Sequence, residues 1–344
     1  MKVLFIGTGA IADAHADGLK LIGSEPVACF DIFKPGAERF AKKYEGCVVL
    51  DNYEDYLDKS KIDYAIICTP PSARLEYMEK VFAAGIPLYL EKPIAARWED
   101  ACKMEELIKK YNATVMVNFV HCYRPAYEDL YKLVKDGTLG DPIHVFSHRF
   151  GIGAGFRGRN MKASWRTDPK MVCGMTIESL SHDITMLSLL GGKAKTVSAK
   201  TKGTIDSLKA FDTNSTLSMQ MESGAVAAID ASWSSDVQFS MRGYVGTKGT
   251  AVIRGTGQFD LNELIVKTDD MPFEKITEYN DTYDHTLAQG MAAAHSHFQK
   301  ALTEGTPIRT PFSAGIEALR VSLSALKSDK EGIVVKPDED PMFQ

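Results

Sequence analysis

Residues 3–15 read VLFIGTGAIADAH, and the reading of this stretch decides the fold. Val3 to Ile6 is a short apolar run of the kind that fills a buried strand; Gly7 interrupts it, and a helical pattern follows at once. Gly7, Gly9 and Ala12 thereby take the G-x-G-x-x-G/A spacing at a strand-to-helix turn. In that pattern the first glycine permits a tight turn, the second lets backbone approach a pyrophosphate, and a small third residue lets helix and strand pack closely. The unpaired N–H groups at a helix start add a partial positive charge for the phosphates. Gly7, Thr8, Gly9, Ala10 and Ile11 are therefore the candidate dinucleotide cradle. Asp31 closes the next apolar run, 19 residues beyond Ala12, where a carboxylate suits a ribose 2′-hydroxyl and repels a 2′-phosphate. This favours NAD over NADP, with Lys34 and Arg39 near enough in sequence to receive a phosphate instead.

Outward from this turn, the first 120 residues alternate apolar runs (PVACFD, YAIICTP, IPLYLEK, TVMVNFV) with amphipathic stretches such as SARLEYMEKVFAAG and WEDACKMEELIKKY. Continuous apolar strands alternating with helices predict an N-terminal Rossmann domain, a doubly wound parallel sheet covered on both faces. Beyond residue 122 the period changes. IHVFSHRF, STLSMQM, GAVAAIDASWS, FSMRGYVG, GTAVIRG and ELIVKT follow one another through turns such as Glu222-Ser223-Gly224. These predict a C-terminal α+β domain, residues 123–344, with a mostly antiparallel open sheet and helices on one face. Helices are expected over Met175–Leu190, His285–Glu304 and Ser313–Ser328.

Composition agrees with two soluble globular domains. The 344 residues exceed what one hydrophobic core usually organises, and 44% hydrophobic with 25% charged residues is ordinary for a soluble protein. A net charge of -5 with interleaved signs offers no basic stripe for nucleic acid. The six cysteines form no C-x-x-C and several lie in apolar runs, which suits a reducing, cytoplasmic setting. No apolar run approaches membrane-spanning length, and Gly7, Gly9 and Asp13 break the N-terminal run too early for a signal peptide.

The next strand ends carry the chemistry. Thr69 and Pro70 lie in CTPPS, Glu91-Lys92-Pro93 follows IPLYL, and Asn118 closes TVMV. In a doubly wound sheet, ligands bind outside the carboxyl ends of the strands, so these residues join Asp31 on one edge. With the later ESLSHDI, YRPAY and GTKGTAVI in this order, the chain resembles the glucose-fructose oxidoreductase and inositol dehydrogenase (Gfo/Idh/MocA) family over essentially its whole length. The resemblance implies that the Lys92 ammonium hydrogen-bonds the reacting oxygen beside the nicotinamide, with Pro93 holding the turn, in a cis bond if need be. It also implies that Glu178-x-x-x-His182 supplies the base, the two residues sharing a helix face. Histidine suits that task because its pKa lies nearest neutrality. Trp165 and Arg166 are implied to contact substrate, by stacking on a sugar ring and forking onto an anionic group; His121 and Tyr123 are further cleft candidates.

Departures from the family pattern bear on the substrate. Glu178 stands where aspartate is usual, Thr185 replaces a second aspartate, and Leu75 lies where histidine is common. The loop FGIGAGFRGRN, with Arg157 and Arg159, lacks the lysine-hydroxyl ending of a phosphate loop and is read as a lid. Metal chemistry is not expected. His144 and His148 are four residues apart in a strand pattern, roughly 13 Å, and His295 and His297 fall on different helix faces.

The expectation is thus an NAD-dependent dehydrogenase of a sugar, polyol or sugar derivative, with hydride passing to the nicotinamide as His182 takes the hydroxyl proton. Two rivals use the same scaffold: a glycoside-cleaving or epimerising enzyme that oxidises transiently without net NADH, and a non-catalytic dinucleotide-binding partner subunit. Alternate apolar residues in GAVAAIDASW leave the second sheet an open apolar face, which calls for a homodimer or homotetramer.

Overall fold

The computed structural model describes residues 1–152, 174–204 and 211–344, those at 283–285 by backbone only. The chain divides into two units, 1–120 with 287–316, and 121–286 with 317–344.

The first unit is built on six parallel strands, β1 (Lys2–Ile6), β2 (Glu25–Phe30), β3 (Val48–Val49), β4 (Tyr64–Ile67), β5 (Leu88–Leu90) and β6 (Val115–Val117), in the order β3-β2-β1-β4-β5-β6. Reversal of strand order at β1 and β4 makes the topological switch point at which such sheets bind ligands. Helices α1 (Ala10–Leu21), α2 (Lys34–Lys43), α3 (Arg74–Ala83) and α4 (Trp98–Tyr111) alternate with the strands, as the sequence periods require. β1, β4, β5 and β6 are buried throughout apart from Lys2, which explains their unbroken apolar runs. The return of residues 287–316 to this unit has no signal in hydrophobic period. Its close fit does have a residue-level cause: a side chain at Gly18 of α1 would lie 2.6 Å from Met291 Cβ. Thr310 extends the same contact, its carbonyl accepting from Val117 N–H at 2.9 Å and its hydroxyl donating to the Val117 carbonyl at 2.8 Å.

The second unit opens with α5 (Pro125–Lys135) and carries an eight-stranded sheet. Its strands are β7 (Pro142–Ile152), β8 (Ala194–Lys202), β9 (Asn214–Met221), β10 (Val226–Ser232), β11 (Ser234–Gly246), β12 (Gly249–Gly255), β13 (Glu263–Thr268) and β14 (Lys275–Glu278). The order is β14-β13-β12-β11-β7-β10-β9-β8, antiparallel except for the parallel pair β7–β10. The expected single helix from Met175 is instead two, α6 (Gly174–Glu178) and α7 (Leu180–Gly191). Two long helices follow, α8 (Tyr283–Glu304) and α9 (Phe312–Glu331). Along β7, Val145, Ser147 and Arg149 face the buried side, while His144, Phe146, His148 and Phe150 between them are partly exposed. α7 packs on the inner face against β7 and β10, and Tyr127 of α5 ties to it by donating its hydroxyl to the Met186 carbonyl at 2.7 Å. Among the described residues no helix is long and apolar enough to cross a membrane.

Candidate functional site

The glycine turn has the form its sequence requires. Gly7 has φ +92°, and a Cβ there would lie 2.9 Å from both Cys68 C and Thr69 N, so this position needs glycine twice over. Nothing lies within 4 Å of where a Gly9 Cβ would point, and Gly9 and Ala10 are exposed at the start of α1, which no side chain caps. Open backbone N–H groups at a helix start fit a pyrophosphate. Asp31 Oδ2 accepts from the Thr8 N–H and hydroxyl, both at 2.8 Å, and Oδ1 accepts from Phe33 N–H at 2.9 Å. This fixes the half-buried carboxylate beside the turn, as ribose recognition needs. The two nearby cations have other partners: Arg39 binds Asp13 at 2.7 Å and the Thr8 carbonyl at 2.6 Å, and Lys34 binds Asp51 at 2.6 Å. The residues present therefore fit NAD.

The Glu91-Lys92-Pro93 turn is held from two sides. Its Lys92-Pro93 peptide bond is cis. Arg74, only 3% exposed at the start of α3, donates to the carbonyls of Glu91, Lys92 and Pro93 and through Nε to the Thr69 carbonyl at 3.0 Å. One guanidinium thus joins the Thr69-Pro70 turn to the lysine turn. On the other side Glu91 is buried, its Oε1 accepting from Asn118 Nδ2 at 2.6 Å and facing His15 Nε2 at 3.0 Å, while Oε2 accepts from Lys92 N–H at 2.9 Å. Burial alone would raise the Glu91 pKa; hydrogen bonding from His15, with the Lys92 charge and the Asn118 amide, outweighs it and holds the group below the usual value. Lys92 itself is half-buried.

In the second unit His182 lies near the start of α7, 7% exposed, with its ring edge-on to His121 at 4.5 Å between centroids. His121 stacks on Phe259 at 5.7 Å, and the Arg149 guanidinium lies 4.7 Å from that ring. Burial, then the His182, Arg124 and further arginine charges, push the His121 pKa well down, so this imidazole is neutral. Arg124 Nη1 donates to His121 Nδ1 at 3.1 Å, which leaves the ring proton on Nε2. Arg124 is fixed in turn by Asp281, whose carboxylate accepts from its Nε at 2.9 Å.

The break between α6 and α7 falls at Ser179, with φ -109°, where Arg149 Nη2 donates to the serine hydroxyl at 3.0 Å. Glu178 thus ends one helix and His182 belongs to the next, with Ser179 between them still in the right-handed helical region and both side chains buried. Asp183 is also buried, its carboxylate accepting from Ser147 Oγ at 2.7 Å, Arg149 Nε at 3.0 Å and Arg242 Nε at 3.3 Å. Thr185, at the family's second aspartate position, donates back to the Ser181 carbonyl at 2.8 Å.

The start of α6 carries a pH-sensitive contact. Asp212 Oδ2 accepts from the N–H and hydroxyl of Thr176 at 2.9 and 2.6 Å, yet burial pushes its pKa up to about 6. A folded-state pKa above the unfolded value favours the fold fully below about 4 and loses that contribution as pH rises through about 6. A two-unit shift corresponds to roughly 3 kcal/mol. We expect Asp212→Asn to remove most of this slope, so that denaturant curves at pH 4.5 and 7.5 differ less in the variant than in the wild type. Equal slopes in both proteins would contradict the assignment.

Of the residues singled out from sequence, Gly7, Thr8, Gly9, Ala10, Ile11, Asp31, Thr69, Pro70, Glu91, Lys92 and Asn118 belong to the first unit, at the glycine turn or at carboxyl ends of strands. Glu91 and Asn118, read as cofactor contacts, are 4% and 2% exposed and hydrogen-bond each other, and Tyr89 OH donates to Asn118 Oδ1 at 2.9 Å. His121, Tyr123, Glu178 and His182 belong to the second unit and are all buried. Trp165, Arg166 and most of the glycine-rich loop, with Arg157 and Arg159, lie outside the described residues. Sequence reasoning passed over Arg74, Arg149 and His15. Only His15 left a trace, as a polar residue among Ala12, Ala16 and Leu19 on the buried face of α1.

A parallel six-stranded nucleotide unit with an open glycine turn, followed by a unit with a predominantly antiparallel sheet, defines a dinucleotide-dependent oxidoreductase. Family models agree: the oxidoreductase family with NAD-binding Rossmann fold matches residues 1–119, and the GFO/IDH/MocA C-terminal domain matches residues 127–252. The chain belongs to the Gfo/Idh/MocA family of NAD-binding oxidoreductases. It is 25% identical to the scyllo-inositol 2-dehydrogenase (NAD(+)) of Bacillus subtilis strain 168, over 98% of this chain and 96% of that one. An inositol 2-dehydrogenase of Gluconacetobacter diazotrophicus is 31% identical over 42% of this chain and 44% of its own length. Levoglucosan dehydrogenase in complex with NADH has the same fold, with a TM-score of 0.85 at 19% identity, covering 97% of this chain and 98% of the other.

Proposed function

We propose that the group oxidised is a secondary alcohol of a sugar, a polyol of the inositol kind or a sugar derivative, and that Lys92 and His182 carry its proton chemistry. The observation that carries the reading is the built support of Lys92: a turn at the carboxyl end of β5, with Arg74 on three successive carbonyls and Glu91 on its N–H. Residues that only punctuate a strand need no such support. The inositol and levoglucosan dehydrogenases among the relatives support the substrate class. NAD supplies the hydride acceptor. Backbone from Gly7 to Ile11 holds its pyrophosphate, Asp31 its ribose, and Thr69 and Pro70 flank the nicotinamide end. Lys92 donates to the substrate oxygen and favours its ionisation, and His182 accepts the hydroxyl proton. Glu178, His121, Tyr123, Trp165 and Arg166 select the substrate. A panel of inositols, aldoses and their 1,6-anhydro forms, scored for NADH and carbonyl product together, tests this: equal amounts of both support it, and product without NADH would show transient oxidation instead.

We further propose a homodimer or homotetramer through the outer sheet face. Phe239, Met241 and Val226 are 41%, 38% and 47% exposed there, with Phe150 stacked on Phe239 at 5.0 Å. Phe239→Lys is expected to reduce the mass measured by light scattering to that of a smaller species, whereas an unchanged mass would exclude this face. The free cysteines Cys29, Cys47, Cys68, Cys102 and Cys122 support a cytoplasmic location.

A further inference from the structure

The buried chain behind Glu91 reaches further than an anchor for one carboxylate requires. His15 Nδ1 lies 2.9 Å from His295 Nε2, His295 Nδ1 lies 3.0 Å from Tyr64 OH, and Gln299 Nε2 donates to the same phenol oxygen at 3.3 Å. His15, His295 and Tyr64 have no exposed surface. Burial and the neighbouring His15 push His295 well below its ordinary pKa, so it is neutral. With His295 neutral and Glu91 ionised, one proton order lets Tyr64, His295 and His15 each donate along the chain: Tyr64 to His295 Nδ1, His295 Nε2–H to His15 Nδ1, and His15 Nε2–H to Glu91. An extra proton on His15 would set two N–H groups face to face at 2.9 Å unless His295 changed tautomer and Tyr64 lost its acceptor. The order is therefore cooperative along its whole length.

We propose that His15 and His295, oriented by Tyr64, are positioning residues: they keep Glu91 an ionised carboxylate in one orientation, and Glu91 thereby places Lys92 for the reaction. This rests on the role given to Lys92 above. The other groups facing Glu91 work in the same direction or are silent. Asn118 donates to the same oxygen, and Arg74 holds the Glu91, Lys92 and Pro93 carbonyls. The Cys68 thiol, pushed well up by burial and by the Glu91 charge, stays protonated. Tyr89 packs edge-on to His15 at 5.5 Å and donates to Asn118.

The test compares His15→Leu, His295→Leu, His295→Gln and Tyr64→Phe with Lys92→Met, on the best substrate of the panel. Both leucine variants are expected to lower kcat/KM about 10- to 100-fold, as a misplaced catalytic group does, with NAD affinity changed less than about threefold. Loss of the donor to Glu91 raises the carboxyl pKa, so the acidic limb of the pH profile moves to higher pH. Glutamine at 295 keeps a donor toward His15 and an acceptor toward Tyr64, and restores both rate and limb. Should a leucine variant not fold, Tyr64→Phe carries the comparison, with a shift of the same sign. In the wild type, ¹⁵N-histidine NMR at pH 8 is expected to show the Nε2–H tautomer for both His15 and His295. A Nδ1–H tautomer on either ring overturns the relay. So does an unchanged pH profile in the relay variants beside an inactive Lys92→Met. Turnover retained by Lys92→Met instead sinks the reading of Lys92 itself, and the relay's role with it.

Discussion

Replacing Lys92 with methionine is expected to lower turnover by a factor on the order of 10²–10⁴, the range a positioned proton donor supplies, while NAD binding changes by no more than a few fold. The side chains are similar in volume and stem, so the variant removes the ammonium and leaves the turn. Arg74 grips backbone carbonyls there, and Glu91 accepts from the backbone N–H, so neither of these contacts depends on the lysine head group. His182→Ala is expected to match this loss. A variant with full turnover, or one whose loss appears wholly in NAD affinity, would remove the residue from the chemistry. The measurement is steady-state kinetics beside NAD titration by calorimetry.

The second large effect concerns stability. Among the described residues Asp183 is the one carboxylate bound to both Arg149 and Arg242, and all three side chains are buried. Asp183→Asn leaves two guanidiniums facing a neutral amide, and breaking a buried pair in this way costs about 3–5 kcal/mol. The melting temperature should fall by on the order of 10 °C. Burial raises the Asp183 pKa, but the two arginines more than offset it and hold the group below its ordinary value. Its contribution is therefore present above the unfolded carboxylate value and lost as pH falls through the lower folded one. Wild type and variant should converge in stability only in strong acid. A melting temperature within about 2 °C of wild type near neutrality would contradict the account.

The parts of the fold that follow a period were legible in advance. Unbroken apolar runs gave a parallel sheet and alternating runs an antiparallel one because strand period reports burial on one face or two. The glycine turn was legible because it combines a local geometric demand at Gly7 with the start of a helix. Contacts between positions remote in sequence were not. Arg74 serves the carbonyls of residues 91 to 93, Arg149 serves Ser179 and Asp183, and His15 serves residues 91 and 295. No pattern of spacing encodes such pairs, since each depends on which elements the sheet order brings together. The division of the Met175 segment at Ser179 belongs with these, because its serine hydroxyl is held from β7. His295 is a core histidine, one of the two places the sequence left for it, but its partners are invisible until α1 and α8 have positions.

Isotope transfer tests the central claim most directly. An inositol deuterated at its reacting carbon is incubated with NAD and the protein, and nucleotide and organic product are each analysed by mass spectrometry. Oxidation of a secondary alcohol should yield singly deuterated NADH in amounts equal to the inosose. Product formed with no deuterium in the nucleotide pool, or with the label returned to the same molecule, would contradict it.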